Sequence, residues 1–212
     1  MSFFFLDKKI CISCKENLKV GKYLCDECKE KLELSNFEYQ KENFKLKSIY
    51  IYSGLIRDLI IRYKFDRDTS LSYLFSEIFI EYDRRKQIFK NYDFLLTVPM
   101  SKRKKNKRGF DHMRLITDKF IKQTSLNYIN SIYKIKDTKN QHQMNLNDRK
   151  TNLNSAFLFK NKEKIEGKKV LIIDDIVTTG FTIKEIYDTI KAFKPKKVGA
   201  LALTYSEKIE NN

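Results

Sequence analysis

The chain has 212 residues, 42% of them hydrophobic, which is enough to bury one sizeable core and a small appendage and excludes a wholly disordered polypeptide. Its 43 basic and 27 acidic side chains leave a net charge of +16, which favours anionic partners such as nucleic acid, phosphorylated metabolites or acidic lipid; plain solubility is the alternative. No apolar run nears the roughly 18 residues that a membrane span needs, and Phe3-Phe4-Phe5-Leu6 is too short for a signal-peptide core, so the expected location is cytoplasmic.

All four cysteines fall near the start, as Cys11-Ile-Ser-Cys14 and Cys25-Asp-Glu-Cys28, two C-x-x-C knuckles separated by ten residues. Each knuckle can present two thiolates from one tight turn, which suits a tetrahedral zinc ion. Lys15, Lys19, Lys22 and Lys29 would partly balance the charge. Two disulfides or a redox pair are the alternatives, and the absence of an export signal favours zinc. Such a metal is structural, because four sulfurs leave no open position for substrate or water. We take residues 1–36 as this module and 37–212 as the main domain.

Beyond the cysteines the apolar pattern alternates between strand and helix periods, which predicts a mixed α/β fold. Ser48 to Ser53 reads as a strand. Leu55, Leu59, Ile60 and Tyr63 mark a first helix, and Leu71, Leu74, Phe75, Ile78, Phe79 and Tyr82 mark a second. Tyr92 to Val98 reads as a buried strand ending at Pro99. The loop that follows, Pro99 to Gly109, carries six basic residues in eleven and suits a pyrophosphate, a nucleic-acid backbone or solvent alike. Phe110 to Phe120 reads as a helix and Ile132 to Ile135 as a strand. Between Thr138 and Phe157 the pattern is irregular, so this stretch is either a plain connection or a loop that closes over a ligand. A strand at Lys197 to Thr204 closes the chain. Strands joined by helical crossovers predict a parallel sheet whose carboxyl edge gathers the ligand-binding loops.

The most informative segment is Val170-Leu-Ile-Ile-Asp-Asp-Ile-Val-Thr-Thr-Gly-Phe-Thr182. Four apolar residues suit a strand covered on both faces, and Asp174 and Asp175 then fall at its carboxyl end. From Ile176 to Thr182 the chain must turn into a helix, whose free N–H groups, dipole and the Thr178, Thr179 and Thr182 hydroxyls favour a phosphate. Two carboxylates beside a phosphate make sense if the ligand also carries a diol, and a ribose 5-phosphate would satisfy both halves. A buried strand followed by a Thr-rich helix cap is the bland alternative.

This segment resembles the phosphoribosyl pyrophosphate (PRPP) motif of type I phosphoribosyltransferases. With the cysteine knuckles, Tyr52-Ser-Gly54 and Lys64, Val98-Pro99, Arg108-Gly109-Phe110, Gln141, Arg149 and Asn152, the chain is similar to the ComF family along most of its length. The resemblance implies a parallel-sheet phosphoribosyltransferase-like domain behind a small four-cysteine zinc module. It implies that Asp174 and Asp175 hold the ribose hydroxyls and that Ile176, Val177, Thr178, Thr179, Gly180, Phe181 and Thr182 wrap the 5-phosphate. Ser101, Lys102 and Arg108 would hold the pyrophosphate, Gln141 and Arg149 would sit on a flexible cover, Mg²⁺ would accompany PRPP, and Cys11, Cys14, Cys25 and Cys28 would bind Zn²⁺. Phe181 is bulkier than the family's usual residue, and Asp111-His112 stands where Asn-Gln is usual. His112 and His142 read as ordinary polar residues of helix or loop. Family members are associated with DNA uptake in natural transformation, so the expected partners are PRPP, single-stranded DNA and proteins of DNA uptake or helicase type. The implied activity is phosphoribosyl transfer to an unnamed acceptor. The alternatives are a single-stranded-DNA-binding adaptor, using Tyr50, Tyr52 and Phe44 for stacking and PRPP as regulator, and a nucleobase-salvage phosphoribosyltransferase.

Overall fold

The computed structural model describes residues 10–18, 22–41, 44–135, 156–160 and 165–207. Among them one six-stranded sheet carries the main domain. Its strands are β1 (Glu38–Lys41), β2 (Phe44–Ile51), β3 (Phe94–Thr97), β4 (Asn127–Ile129), β7 (Lys169–Val177) and β8 (Lys197–Tyr205), arranged β1-β2-β8-β7-β3-β4. All neighbours run parallel except β1, which pairs antiparallel with β2. The long central strands β7 and β8 are buried along almost their whole length, as expected of parallel strands covered on both faces. Edge strand β1 is short and exposed throughout, which limits unwanted pairing.

Helices α2 (Gly54–Phe65), α3 (Leu71–Lys86) and α5 (His112–Phe120) cover one face. Ile56, Leu59, Ile60 and Tyr63 of α2 and Leu71, Leu74, Phe75, Ile78 and Phe79 of α3 recur at helical spacing, so each helix turns one apolar stripe inward. The opposite face carries α6 (Phe181–Lys191), with Ile183, Ile186 and Ile190 buried. On that side also lies a two-stranded antiparallel pair, β5 (Ile132–Lys134) with β6 (Phe157–Phe159).

Three expectations change here. The strand expected at Ile132 to Ile135 exists, but it leaves the parallel sheet to pair with Phe157–Phe159. Ala156 and Phe157, read as the end of a loop, are buried. The basic stretch after β3 is mostly helix, α4 (Lys102–Arg108), because Ser101 caps its start by accepting from Lys104 N and Gly109 ends it at φ +86°.

The cysteine segment rests on the helix-covered face rather than standing apart. Cys11, Ile12, Leu24 and Cys28 join the same apolar cluster as α2 and α3. Its short helix α1 (Asp26–Glu30) is capped by Cys25, and Lys29 pairs with Glu81 of α3 at 3.4 Å. No helix among the described residues is long and apolar enough to cross a membrane.

Candidate functional site

Strand β7 hydrogen-bonds to β3 on one side and β8 on the other. The chain leaves β3 toward α5 on one face and leaves β7 through α6 on the other. That reversal makes a topological switch point between β3 and β7, where the diverging connections open a crevice at the carboxyl ends of the strands. Two of the segments singled out in the sequence emerge at this place. Val98, just past β3, donates its N–H to Ile173 O at 3.1 Å, and Asp174 follows directly.

Side-chain alternation along β7 gives the two acids different neighbours. Asp175 shares the parity of Leu171 and Ile173, which belong to the face covered by α2, α3 and α5, whereas Val170 and Ile172 belong to the other face. Asp175 is buried at 5% exposure. Lys64 Nζ from α2 lies 2.5 Å from its Oδ2 and His112 Nε2 from α5 lies 2.9 Å from the same atom. These are close polar contacts, an ion pair in the case of Lys64, rather than well-directed hydrogen bonds, since Oδ2 has no partner of good hydrogen-bond geometry among the described residues. Asp174 is half-buried and accepts from Asp175 N at 2.9 Å through Oδ1.

The electrostatics separate the pair further. Burial pushes Asp174 well above the usual carboxylate range, the Asp175 charge adds to this, and Lys64 opposes it. Burial acts the same way on Asp175, but Lys64 and His112 outweigh it and hold that carboxyl well below the usual range. One acid is thus inclined to keep a proton while its neighbour is inclined to stay charged. His112, Asp174 and Asp175 offer ligand atoms within 4.8 Å of one another, yet the Lys64 ammonium already neutralises Asp175, so a divalent cation there would have to compete with a built-in charge.

Past the acids the chain turns sharply. Thr178 and Thr179 are exposed, Gly180 stands at φ +71° as the residue before α6, and Phe181 and Thr182 open the helix. A Cβ on Gly180 would come within 3.3 Å of Leu46, so both the conformation and the space favour glycine. Gly180 brings no capping side chain to this eleven-residue helix, and Thr179 Oγ1 accepts from Phe181 N at a long 3.4 Å. The start of the helix therefore remains open to an anion, and the macrodipole favours one. Phe181, 64% exposed, points away from the core.

Of the other expected site residues, Ser101 is buried as the α4 cap and Lys102 is exposed. Arg108 lies 5.9 Å from the ring of Phe65 at the end of α2. Arg67 donates to Lys107 O at 3.2 Å, tying the basic helix to the α2 end of the site. Gln141 and Arg149, with Asn152 and His142, lie outside the described residues. Phe44, offered for stacking, is instead buried against Tyr187, and Tyr50 and Tyr52 are partly buried against the core.

The four cysteines gather into one cluster with sulfurs within 4.8 Å of one another. Cys14 and Cys25 Sγ are 3.6 Å apart, close to the ~3.8 Å between sulfurs on a tetrahedral zinc with Zn–S of about 2.3 Å. Backbone N–H groups of Cys25 and Cys28 aim at Cys11 and Cys25 sulfurs at 3.4 Å, a pattern that steadies thiolates. Burial opposes ionisation of Cys11, but N–H donors from Cys25, Cys14 and Ser13 prevail and bring it down to about 6. Although the Glu16 N–H favours its thiolate, desolvation and the neighbouring cysteines push Cys14 up to about 12. Four sulfurs this close cannot all ionise unless a cation joins them, so the donor set fits zinc. Disulfides are absent among the described residues.

Sequence reasoning gave no site role to His112 and left Lys64 without a partner. Lys64 lies in the last turn of α2 and His112 in the first turn of α5, and nothing local marks either as reaching a strand more than sixty residues away.

Comparison with known proteins agrees with this geometry. Residues 102–210 match the phosphoribosyl transferase domain model, more than half of the chain. The DNA utilization protein YhgH of Shigella flexneri is 26% identical over 146 residues, 67% of this chain and 63% of that protein. Competence protein ComFC of Streptococcus pneumoniae is 27% identical over 158 residues, covering 74% and 66%, and competence protein F of Haemophilus influenzae is 29% identical over 134, covering 60% and 58%. The chain spans 58 to 66% of the length of these curated relatives. Among solved structures, the hypoxanthine phosphoribosyl transferase of Trypanosoma cruzi is 14% identical, covering 63% of this chain and 62% of that one at a TM-score of 0.32. The chain belongs to the phosphoribosyl transferase domain family.

Proposed function

We propose that the protein binds PRPP at the carboxyl end of β7 and serves DNA uptake or utilization, with transfer of the phosphoribosyl group to an acceptor not yet named. The observation that carries this reading is the succession at one sheet edge of an acid pair, a glycine turn and an open helix N-terminus. The turn from Ile176 to Thr182 would take the 5-phosphate and the acid pair the ribose diol. In the transfer, the acceptor's nucleophile bonds to the anomeric carbon as the carbon–oxygen bond to pyrophosphate breaks, and pyrophosphate leaves. Basic side chains of α4 beside the crevice would stabilise the charge gathering on that leaving group. No protein nucleophile is required; the chain's part is positioning and electrostatics. Mg²⁺, when bound with PRPP, would supply further charge neutralisation at the pyrophosphate.

Zinc held by Cys11, Cys14, Cys25 and Cys28 would be structural. A cytoplasmic location goes with this reading, since a reducing compartment keeps cysteines from pairing and leaves them to a metal.

A specific surface supports single-stranded DNA as partner. Six basic residues lie on α4, five of them exposed, and Phe65 beside them is 70% exposed. Exposed cations next to an exposed aromatic suit a phosphate chain with a stacked base. PRPP would then act as substrate or as regulator of DNA binding.

Calorimetry with PRPP and Mg²⁺, repeated with single-stranded DNA present, tests both parts. Saturable PRPP binding is expected, with an affinity that DNA alters. No heat of binding for PRPP would overturn the reading.

A further inference from the structure

The acid pair is served by a side chain that the sugar-phosphate motif does not contain. Lys64 lies on α2, far from β7 in sequence, and its Nζ reaches Asp175 Oδ2 at 2.5 Å with both side chains largely buried, at 13% and 7% exposure. The His112 ring, 10% exposed, meets the same oxygen from α5. The two residues that precede the lysine hold this arrangement in place. Tyr63 donates to His112 O at 2.7 Å, which joins α2 to the first turn of α5. Arg62 donates to Ile12 O in the first cysteine knuckle at 3.3 Å and pairs with Asp68 at 2.8 Å. Three consecutive residues of one helix therefore grip the cysteine module, the start of α5 and the acid pair.

Two adjacent carboxylates at a ligand edge repel each other, and a flexible pair would present a diol with several arrangements. A buried ammonium on one of them offsets part of that repulsion and fixes that side chain. As a source of stability alone such a pair is poorly motivated, because desolvation offsets most of its attraction and an apolar pair of similar volume does as well. Its location argues for a different role. Among the described residues Lys64 is the lysine that reaches the acid pair, and it does so from a helix anchored at the two preceding positions.

We infer that Lys64 is a positioning residue of this site: its ammonium, with the His112 ring, holds the Asp175 carboxylate beside Asp174 so that the pair meets the ribose hydroxyls in one preset arrangement. The inference rests on the sugar-phosphate reading and assigns this lysine its part in it. The phosphate turn lies on the other side of β7 and is independent of Lys64, so removal of the ammonium should affect recognition of the sugar and spare recognition of a bare phosphate group.

The test measures binding of PRPP and of inorganic pyrophosphate, each with Mg²⁺, to the full chain and to Lys64→Met and Lys64→Arg, with thermal melts alongside. Expected for Lys64→Met is roughly a tenfold or greater loss of PRPP affinity, equivalent to one decade in Kd, with pyrophosphate affinity kept. Lys64→Arg, which restores a cation, should recover most of the PRPP affinity. If the methionine variant melts below the assay temperature, Lys64→Gln, which keeps the stem without the charge, is read in the same way. Equal PRPP affinity in a folded uncharged variant overturns the inference alone, as does a parallel loss of both ligands that Lys64→Arg does not reverse. Absence of PRPP binding in the unaltered chain removes the sugar-phosphate reading and this inference together.

Discussion

Asp174 and Asp175 are neighbours in sequence with opposite electrostatic behaviour, and this difference can be measured. In Asp174 the folded value is raised, so above about pH 4 the unfolded chain releases a proton that the fold retains, and stability declines as pH rises. Asp174→Asn is therefore expected to melt higher than the unaltered protein at pH 7, with the advantage shrinking toward pH 4, while PRPP binding is lost. A lower melting temperature at pH 7 would contradict this. In Asp175 the folded value is depressed, so its contribution is fully present above about pH 4 and is lost as pH falls below that. Asp175→Asn strands a buried Lys64, and chemical denaturation should show a loss of about 3 kcal/mol. The acids themselves are legible in the sequence because they end an apolar run. Their inequality is not, since it arises from Lys64 and His112, which only the packing of α2 and α5 brings there.

At the scale of elements, α2 joins two sites that the sequence presents separately. Arg62 reaches the cysteine knuckle and Lys64 reaches the acid pair, two residues apart on one helix. If zinc holds the knuckles, stripping it with a chelator, or Cys11→Ser, should lower the melting temperature and also weaken PRPP binding, because the helix carrying Lys64 loses its support. PRPP affinity unchanged in metal-free, still-folded protein would show the two sites to be independent. The helices α2, α3 and α6 and the strands β7 and β8 were readable because their periodicities run unbroken over many residues. The helix α4 was not. With no buried residue, it has no apolar stripe to reveal its period, and its helical form depends on the Ser101 cap and the Gly109 stop.

On the scale of the whole molecule, net charge +16 gives a field that attracts polyanions, and α4 concentrates part of it beside the crevice. If single-stranded DNA contacts some six phosphates, affinity should fall by about 10³ between low and moderate salt. Lys104→Glu with Lys105→Glu should flatten that slope with little change in melting temperature, as both side chains are exposed. A salt response identical to that of the unaltered chain would place the DNA contact elsewhere.

Local order in the sequence was enough to establish the apolar strand, the acid pair, the glycine turn and the two cysteine knuckles, because each is a short-range pattern whose chemistry follows from residue type and spacing. The tertiary structure decided which strands share an edge, that β5 pairs with β6 outside the main sheet, and that a distant lysine and a distant histidine converge on one of two adjacent acids. Those outcomes depend on how separate apolar faces pack, and that information is spread over the whole chain.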